Sequence, residues 1–259
     1  MPFGALIIGD EIMRGKRQEK HFAQLIAILR SRGLALAWCE YLGDSPELIT
    51  STLRRTLAGT DVVFSFGGIG ATPDDHTRAC AAAAAGLPLE LHPEAEAEIR
   101  GRFGADTTPN RLKMGEFPRG SSIIPNSYNR ICGFSLREHH FVPGFPIMAW
   151  PMVEWVLDQR YVHLFHRQAE AEASIVVYDS AESTLTPLML AIEEKYRGLK
   201  VFSLPSVGEG GQRRHIELGV RGAPQEVVPA LEELKRGVIE VGGSWEPHSV
   251  PPVSKAAGS

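Results

Sequence analysis

Three apolar runs, residues 5–8, 34–42 and 61–66, each stop at a glycine-bearing loop that carries carboxylates, and each is followed by a stretch with helical spacing. Phe22, Leu25, Ile26 and Leu29 recur on one helical face ahead of Gly33, which suits a left-handed residue after a helix. Ser45, Pro46 and Glu47 supply a cap and a first-turn proline ahead of Leu48, Leu53 and Leu57. An alanine-rich stretch, 74–85, predicts a third helix ending at Gly86. Strands separated by helices of this length need crossovers between parallel neighbours, so the pattern predicts an α/β domain: a three-layer, parallel-rich sheet with helices on both faces.

Further along, residues 94–103 read as a helix and 110–130 as a polar, punctuated stretch. Residues 133–137 and 139–142 read as closing strands before a helix that ends near Asp158. A polar linker is expected around 167–173. A strand at 174–178, a helix at 182–196, strands at 200–204 and 213–220 and a helix at 223–241 then predict a small α+β domain of βαββα order. The expected division is 1–167, 168–246 and a disordered tail over 247–259.

Composition excludes several function classes. The net charge of −4 offers no general attraction to nucleic acid or to an anionic membrane. No run approaches the ~18 apolar residues of a membrane span, and the first residues lack a basic leader. Cys39, Cys80 and Cys132 are far apart and form no Cys-x-x-Cys pair, as expected of reduced thiols in a cytoplasmic protein.

In an open parallel sheet, ligands bind outside the carboxyl ends of the strands. Four loops should share that rim: Gly9-Asp10-Glu11, Gly43-Asp44, residues 67–77, and Pro143-Gly144-Phe145-Pro146. Gly67, Gly68 and Gly70 suit an anion site, because residues without Cβ let backbone N–H groups close on phosphate oxygens. Neither the dinucleotide fingerprint nor the P-loop is present, and the bland alternative is a tight turn in which Asp74 or Asp75 caps the following helix. Glu11, Asp44 and Asp75 near the glycines call for a bridging cation or ligand hydroxyls. Arg14, Lys16, Arg17 and Arg78 either meet ligand charge or are solvated surface. For His21 and His76, with no orienting acid identifiable, a structural role outweighs a direct one.

The run Gly67-Gly68-Ile69-Gly70-Ala71-Thr72-Pro73-Asp74-Asp75-His76-Thr77-Arg78 resembles the signature of the molybdopterin-binding superfamily, closest to the N-terminal part of competence/damage-inducible protein A (CinA). Gly9-Asp10-Glu11-Ile12 with Gly15, Gly43-Asp44, Asn110-Arg111 with Lys113, Pro125-Asn126, Gly133-Phe134, and Pro143-Gly144 with Pro146 recur in its order. The second segment resembles the KH-like domain that follows in CinA proteins. The amidase domain that often comes next has no counterpart, so amidase activity is not expected.

This resemblance implies the molybdopterin-binding fold and a pocket for a phosphorylated pterin or nucleotide, in a protein that forms homo-oligomers. Its first functional implication is metal-dependent pyrophosphate hydrolysis of an ADP-ribose-like nucleotide, with a divalent ion of magnesium, manganese or cobalt type. The alternative is molybdopterin binding without hydrolysis, linked to molybdenum cofactor biosynthesis. Carried over by position, Gly67, Gly68, Gly70, Thr72, Asp74 and Thr77 would hold the ligand, with Asn110, Lys113, Pro143 and Gly144 completing the cleft. Asp75, Glu11 and Asp44 would be catalytic, with Asp75 and Glu11 as metal ligands. The chain departs from CinA relatives at Glu19-Lys20-His21, at Ala71 and over 128–132, all bordering the ligand. RNA binding by the second segment is not expected: residues 168–246 hold 8 Lys or Arg against 13 Asp or Glu, a net of −5. There Gly208 and Gly211 match Gly-x-x-Gly only by letters.

Overall fold

A computed structural model describes residues 1–167, 171–208 and 213–248, and the chain divides into two compact units, 1–166 and 167–259. The first unit runs β1 (Phe3–Ile8), a helical turn α1 (Asp10–Met13), α2 (His21–Arg30), β2 (Leu36–Leu42), α3 (Pro46–Leu57), β3 (Val62–Phe66) and α4 (Thr77–Ala85). It continues through β4 (Leu89–Leu91), α5 (Pro93–Phe103), α6 (Pro109–Leu112), β5 (Glu116–Pro118), β6 (Ser122–Ile124), β7 (Gly133–Leu136), β8 (His139–Val142) and α7 (Pro146–Arg160).

Six of these strands form one sheet in the order β2-β1-β3-β8-β7-β6. The first four are parallel, as the strand–helix alternation predicts, and β7 and β6 add an antiparallel edge. Successive side chains of a strand point to opposite faces, so β1 feeds two cores. Phe3, Ala5 and Ile7 join Phe64, Phe66 and the α2 and α7 residues Leu25, Leu29, Val153 and Val156. Leu6 and Ile8 join Val63, Phe141 and the α3 residues Ile49 and Leu53. Every residue of β1 and β3 is buried, which is why both read as unbroken apolar runs rather than as alternating ones.

The parallel strands bring their carboxyl ends to one edge, and the loops there continue the ladder. Gly9 N donates to Leu42 O at 3.0 Å, and Gly67 N donates to Val142 O at 3.0 Å. The helix starts are set locally: Ser45 Oγ accepts from Leu48 N at the head of α3, with Pro46 in the first turn.

Three expectations change. The helix expected from residue 74 begins at Thr77, because Asp75 is held in the preceding loop. The stretch 110–130 holds α6, β5 and β6, elements of three or four residues, too short to carry a period; β5 pairs with β4 and β6 with β7. Gly9-Asp10-Glu11 is not all loop, since Asp10 opens α1.

The second unit contains β9 (Ala171–Tyr178), α8 (Glu182–Lys195), β10 (Lys200–Ser206), β11 (His215–Gly222), α9 (Pro224–Glu240) and β12 (Ser244–Pro247). Its antiparallel sheet runs β10-β11-β9-β12. The last strand extends the expected βαββα pattern to βαββαβ, the order of the split βαβ motif. Ile175, Val177, Leu218 and Val220 face α8 and α9 through Leu185, Ile192, Val227 and Leu234. Ala171 to Ala173, expected as linker, are already in β9. Part of that linker, Gly211 of the Gly-x-x-Gly match, and the expected tail beyond His248 lie outside the described residues. Among the described residues no helix is long and apolar enough to cross a membrane.

Candidate functional site

The glycine loop leaves β3 in a conformation that only glycine adopts without strain. Gly67 has φ +100° and Gly68 φ +67°. A Cβ on Gly67 would overlap Ile8 O, and one on Gly68 would overlap Thr77 Oγ1. Thr77 is fully buried; its hydroxyl donates to Gly67 O at 3.0 Å and its N–H to Gly68 O at 3.0 Å. The threonine expected among the ligand-binding residues thus ties the loop back onto the start of α4.

Asp75 occupies the space beneath the loop. Its Oδ1 accepts from Gly70 N at 2.9 Å, and its Oδ2 accepts from Thr72 N at 2.8 Å and from the Thr72 hydroxyl. Two N–H groups expected to meet phosphate are therefore held by a carboxylate of the same loop. Neither Asp74 nor Asp75 caps α4, whose N-cap His76 makes no side-chain cap bond. Among the described residues, the N–H groups of Gly68, Ile69 and Ala71 find no acceptor, so these are the donors the loop presents.

Arg78 is spent on the protein itself. Its guanidinium donates to Gly70 O and to Lys113 O, stapling the glycine loop to the segment after α6. Burial pulls its pKa down, opposed by the charges of Asp75 and Glu116. Lys113 is thereby joined to the loop through its backbone while its side chain stays exposed. Asn110 is exposed on α6 and, among the described residues, no hydrogen bond links it to the loop.

The acidic groups lie at the ends of β1 and β2. Asp10 N donates to Asp44 Oδ2 at 2.9 Å, and Asp44 N donates to Asp10 Oδ1 at 3.1 Å. Arg14 closes on Asp10 Oδ2 at 2.6 Å. Burial pushes the Asp44 carboxyl above the usual range, the Asp10 N–H opposes this, and the charges of Asp10, Glu11 and Asp74 push further upward. Asp10 was not singled out as a site residue; the available signal was the repeated Gly-Asp pair, Gly9-Asp10 and Gly43-Asp44, at neighbouring strand ends. Glu11 lies 3.6 Å from Arg17.

These carboxylates do not make a metal centre as they stand. Asp75 has both oxygens engaged by N–H donors, Glu11 leans on Arg17, and no group of three His, Cys, Asp or Glu with ligating geometry occurs among the described residues. Asp75 and Glu11, expected as metal ligands, are in this arrangement engaged by the loop N–H groups and by Arg17.

Beyond β8, Gly144 rests against the glycine loop: a Cβ there would stand 3.5 Å from Gly67 Cα. Its carbonyl accepts from His21 Nε2 at 3.2 Å, which fixes the proton on that nitrogen. His21 is stacked on Phe66 with centroids 4.5 Å apart, and burial lowers its pKa against the Gly144 carbonyl and Glu19, keeping the ring neutral. A cavity of about 300 Å³ opens here, lined by Arg17, Lys20, His21, Gly144 and Phe145 among others. Of the rim residues, Pro143 starts this loop and Gly144 carries the contact.

Residues 4–163 match the family described as "Probable molybdopterin binding domain". A CinA-like protein of Anaeromyxobacter sp. (strain Fw109-5) is 34% identical over 256 residues, covering 90% of this chain and 62% of its own length. A CinA-like protein of Geobacter sulfurreducens is 33% identical over 172 residues, covering 62% of this chain and 42% of its own. The chain thus spans less than two thirds of these relatives. The crystal structure of CinA from Thermoplasma acidophilum, a protein of unknown function, superposes with TM-score 0.56 at 25% identity, covering 61% of this chain and 98% of that one. With residues 4–163 matched, this chain belongs to the family described as "Probable molybdopterin binding domain", and it is similar to CinA-like proteins.

Proposed function

We propose that the first unit binds a phosphorylated pterin or nucleotide at the carboxyl edge of its sheet. The observation that carries this is the glycine loop: among the described residues, the backbone N–H groups of Gly68, Ile69 and Ala71 find no acceptor, and Gly144, which lies against Gly67, also lines a cavity of about 300 Å³. Asp75 supports the reading as a positioning group, because it holds Gly70 and Thr72 and so sets the direction of their neighbours. The test is calorimetric titration of the purified chain with molybdopterin and with ADP-ribose, in chelator. Saturable binding of either is expected; no binding of either overturns the proposal.

Pyrophosphate cleavage is a second reading, favoured by the crowding of Asp10, Glu11 and Asp74 around the raised carboxyl of Asp44. A carboxyl so placed can hold or accept a proton near a scissile phosphate. Incubation with ADP-ribose and magnesium, manganese or cobalt should release AMP, and Asp44→Ala should abolish the release. Absence of AMP with every metal leaves binding without hydrolysis as the function.

A further inference from the structure

We infer that the free edge of β2 is a docking surface and that its occupant is a second copy of this chain. The two β2 strands pair antiparallel about a two-fold axis and join two six-stranded sheets into one.

An edge strand turns a row of unpaired N–H and C=O groups outward, and natural edges are blunted by proline, lysine or shortness. Among the described strands, every edge but one carries such a guard. β6 has three residues and runs into Pro125, and β10 holds Lys200 and Pro205. β12 ends in Pro247, and β4 and β5 have three residues each, with Pro118 in β5. β2 has seven residues, with neither proline nor lysine. Its register slips once, at Ala37, and from Trp38 to Leu42 it is regular against Gly4 to Ile8. Leu42 O accepts from Gly9 N on the β1 side. By the alternation of a strand, Cys39 and Tyr41 then turn their N–H and C=O outward, and among the described residues no loop or side chain meets them.

The side chains at this edge are apolar on one face. Cys39 packs on the α2 side of the sheet, and Tyr41, two residues on, shares that face and is 40% exposed. Phe22 and Ile26 stand one turn apart on α2, 40% and 38% exposed, on the flank opposite Gln24, which lines a cavity against α7. Glu19 ties the two elements together, accepting from Phe22 N at 3.0 Å and from the Tyr41 hydroxyl at 3.3 Å.

The two-fold identifies the occupant. An axis perpendicular to the sheet keeps α2 of both copies on one face, so Phe22, Ile26 and Tyr41 meet the same apolar set while the outward backbone groups find partners. Glu40, the one charge in the strand, is already met by Arg55 at 2.6 Å, so neither copy brings an uncompensated charge to the axis. A charged strand from another protein would find no unpaired opposite charge on β2 itself.

The experiment is sedimentation of the full chain over a range of concentrations, paired with amide-resolved hydrogen exchange. A species of twice the chain mass is expected at high concentration. In it the amides of Cys39 and Tyr41 should slow by roughly ten-fold or more and recover on dilution, whereas those of Glu40 and Leu42, facing β1, stay protected throughout. Tyr41→Lys and Ile26→Lys should each raise the dimer dissociation constant by roughly ten-fold or more, with the thermal midpoint of the monomer unchanged. A chain that stays monomeric, an assembly other than a dimer, or a dimer that both variants leave intact overturns the proposal. So does protection of Cys39 and Tyr41 that is the same at every concentration, which would give the edge to a segment of the same chain.

Discussion

Asp10 and Asp44 cap one another across two strand ends, each carboxylate accepting the backbone N–H of the other residue at 2.9 and 3.1 Å. The pair locks the loop after β1 to the loop after β2, and it places two like charges side by side. An amide still accepts the Asp10 N–H while removing one of those charges. Asp44→Asn is therefore expected to leave stability within about 0.5 kcal/mol of wild type at neutral pH, whereas Asp44→Ala, which leaves the Asp10 N–H unpaired, should cost about 1–2 kcal/mol. Urea unfolding of the two variants checks the contrast; equal losses would show that the reciprocal bonds do not hold the loops.

Asp75 supplies three acceptor contacts to Gly70 and Thr72, so its loss frees the loop rather than the helix. Asp75→Ala should lower stability by about 1–3 kcal/mol and raise hydrogen exchange at Gly70 and Thr72, with α4 amides unaffected. Exchange that rises along α4 instead would mark Asp75 as a helix cap.

Gly68→Ala places a methyl group against Thr77 Oγ1 at a backbone angle of +67°. The expected cost is about 2 kcal/mol or more, from the left-handed conformation and the overlap together. In a double-mutant cycle, Gly68→Ala with Thr77→Ala should cost less than the sum of the single changes, since the second removes the atom in the way. Strict additivity would locate the strain elsewhere.

The closing strand β8 carries two buried histidines that make the fold sensitive to acid. His140 donates from Nε2 to Tyr161, whose hydroxyl donates to Glu138, and in the neutral ring its Nδ1 accepts from the Ser135 hydroxyl. Burial pushes His139 down to about 4 from 6.5, aided by Arg137 and opposed by Asp61, and it holds His140 well below its ordinary value. Both are neutral when folded and take up a proton on unfolding below pH 6.5. Their contribution is therefore complete above pH 6.5 and is lost as pH falls toward 4. Between pH 7.5 and pH 5 the urea midpoint should fall, with His139 alone accounting for roughly 2 kcal/mol. A midpoint flat across that interval would exclude neutral buried rings.

Much of the first unit was legible because long buried strands and amphipathic helices announce themselves by run length and period. β1, β3, α2 and α3 fall close to where apolar spacing puts them, and Gly33 and Gly86 take the left-handed angles expected after a helix. The three-residue strands β4, β5 and β6 carry no period, and β12 follows two glycines in a short polar setting, so their existence depends on the strand each one pairs with. At the site, the four rim loops were readable as a set, while the assignments within them were not. Arg78 read as either a cation for the ligand or a solvated surface charge, and it is a buried staple between two backbone carbonyls.

The sequence by itself determined that three strand–loop–helix units would build a parallel sheet with its glycines and carboxylates at one edge, since apolar runs and helix periods leave no other way to bury both faces. Only the tertiary structure decided which donor meets which acceptor along that edge. Asp10 and Asp44 are 34 residues apart, and His21 and Gly144 are 123 apart. Hydrogen bonds are directional and reach about 3 Å, so partners at such separations are chosen by how the strands align and not by the residues between them.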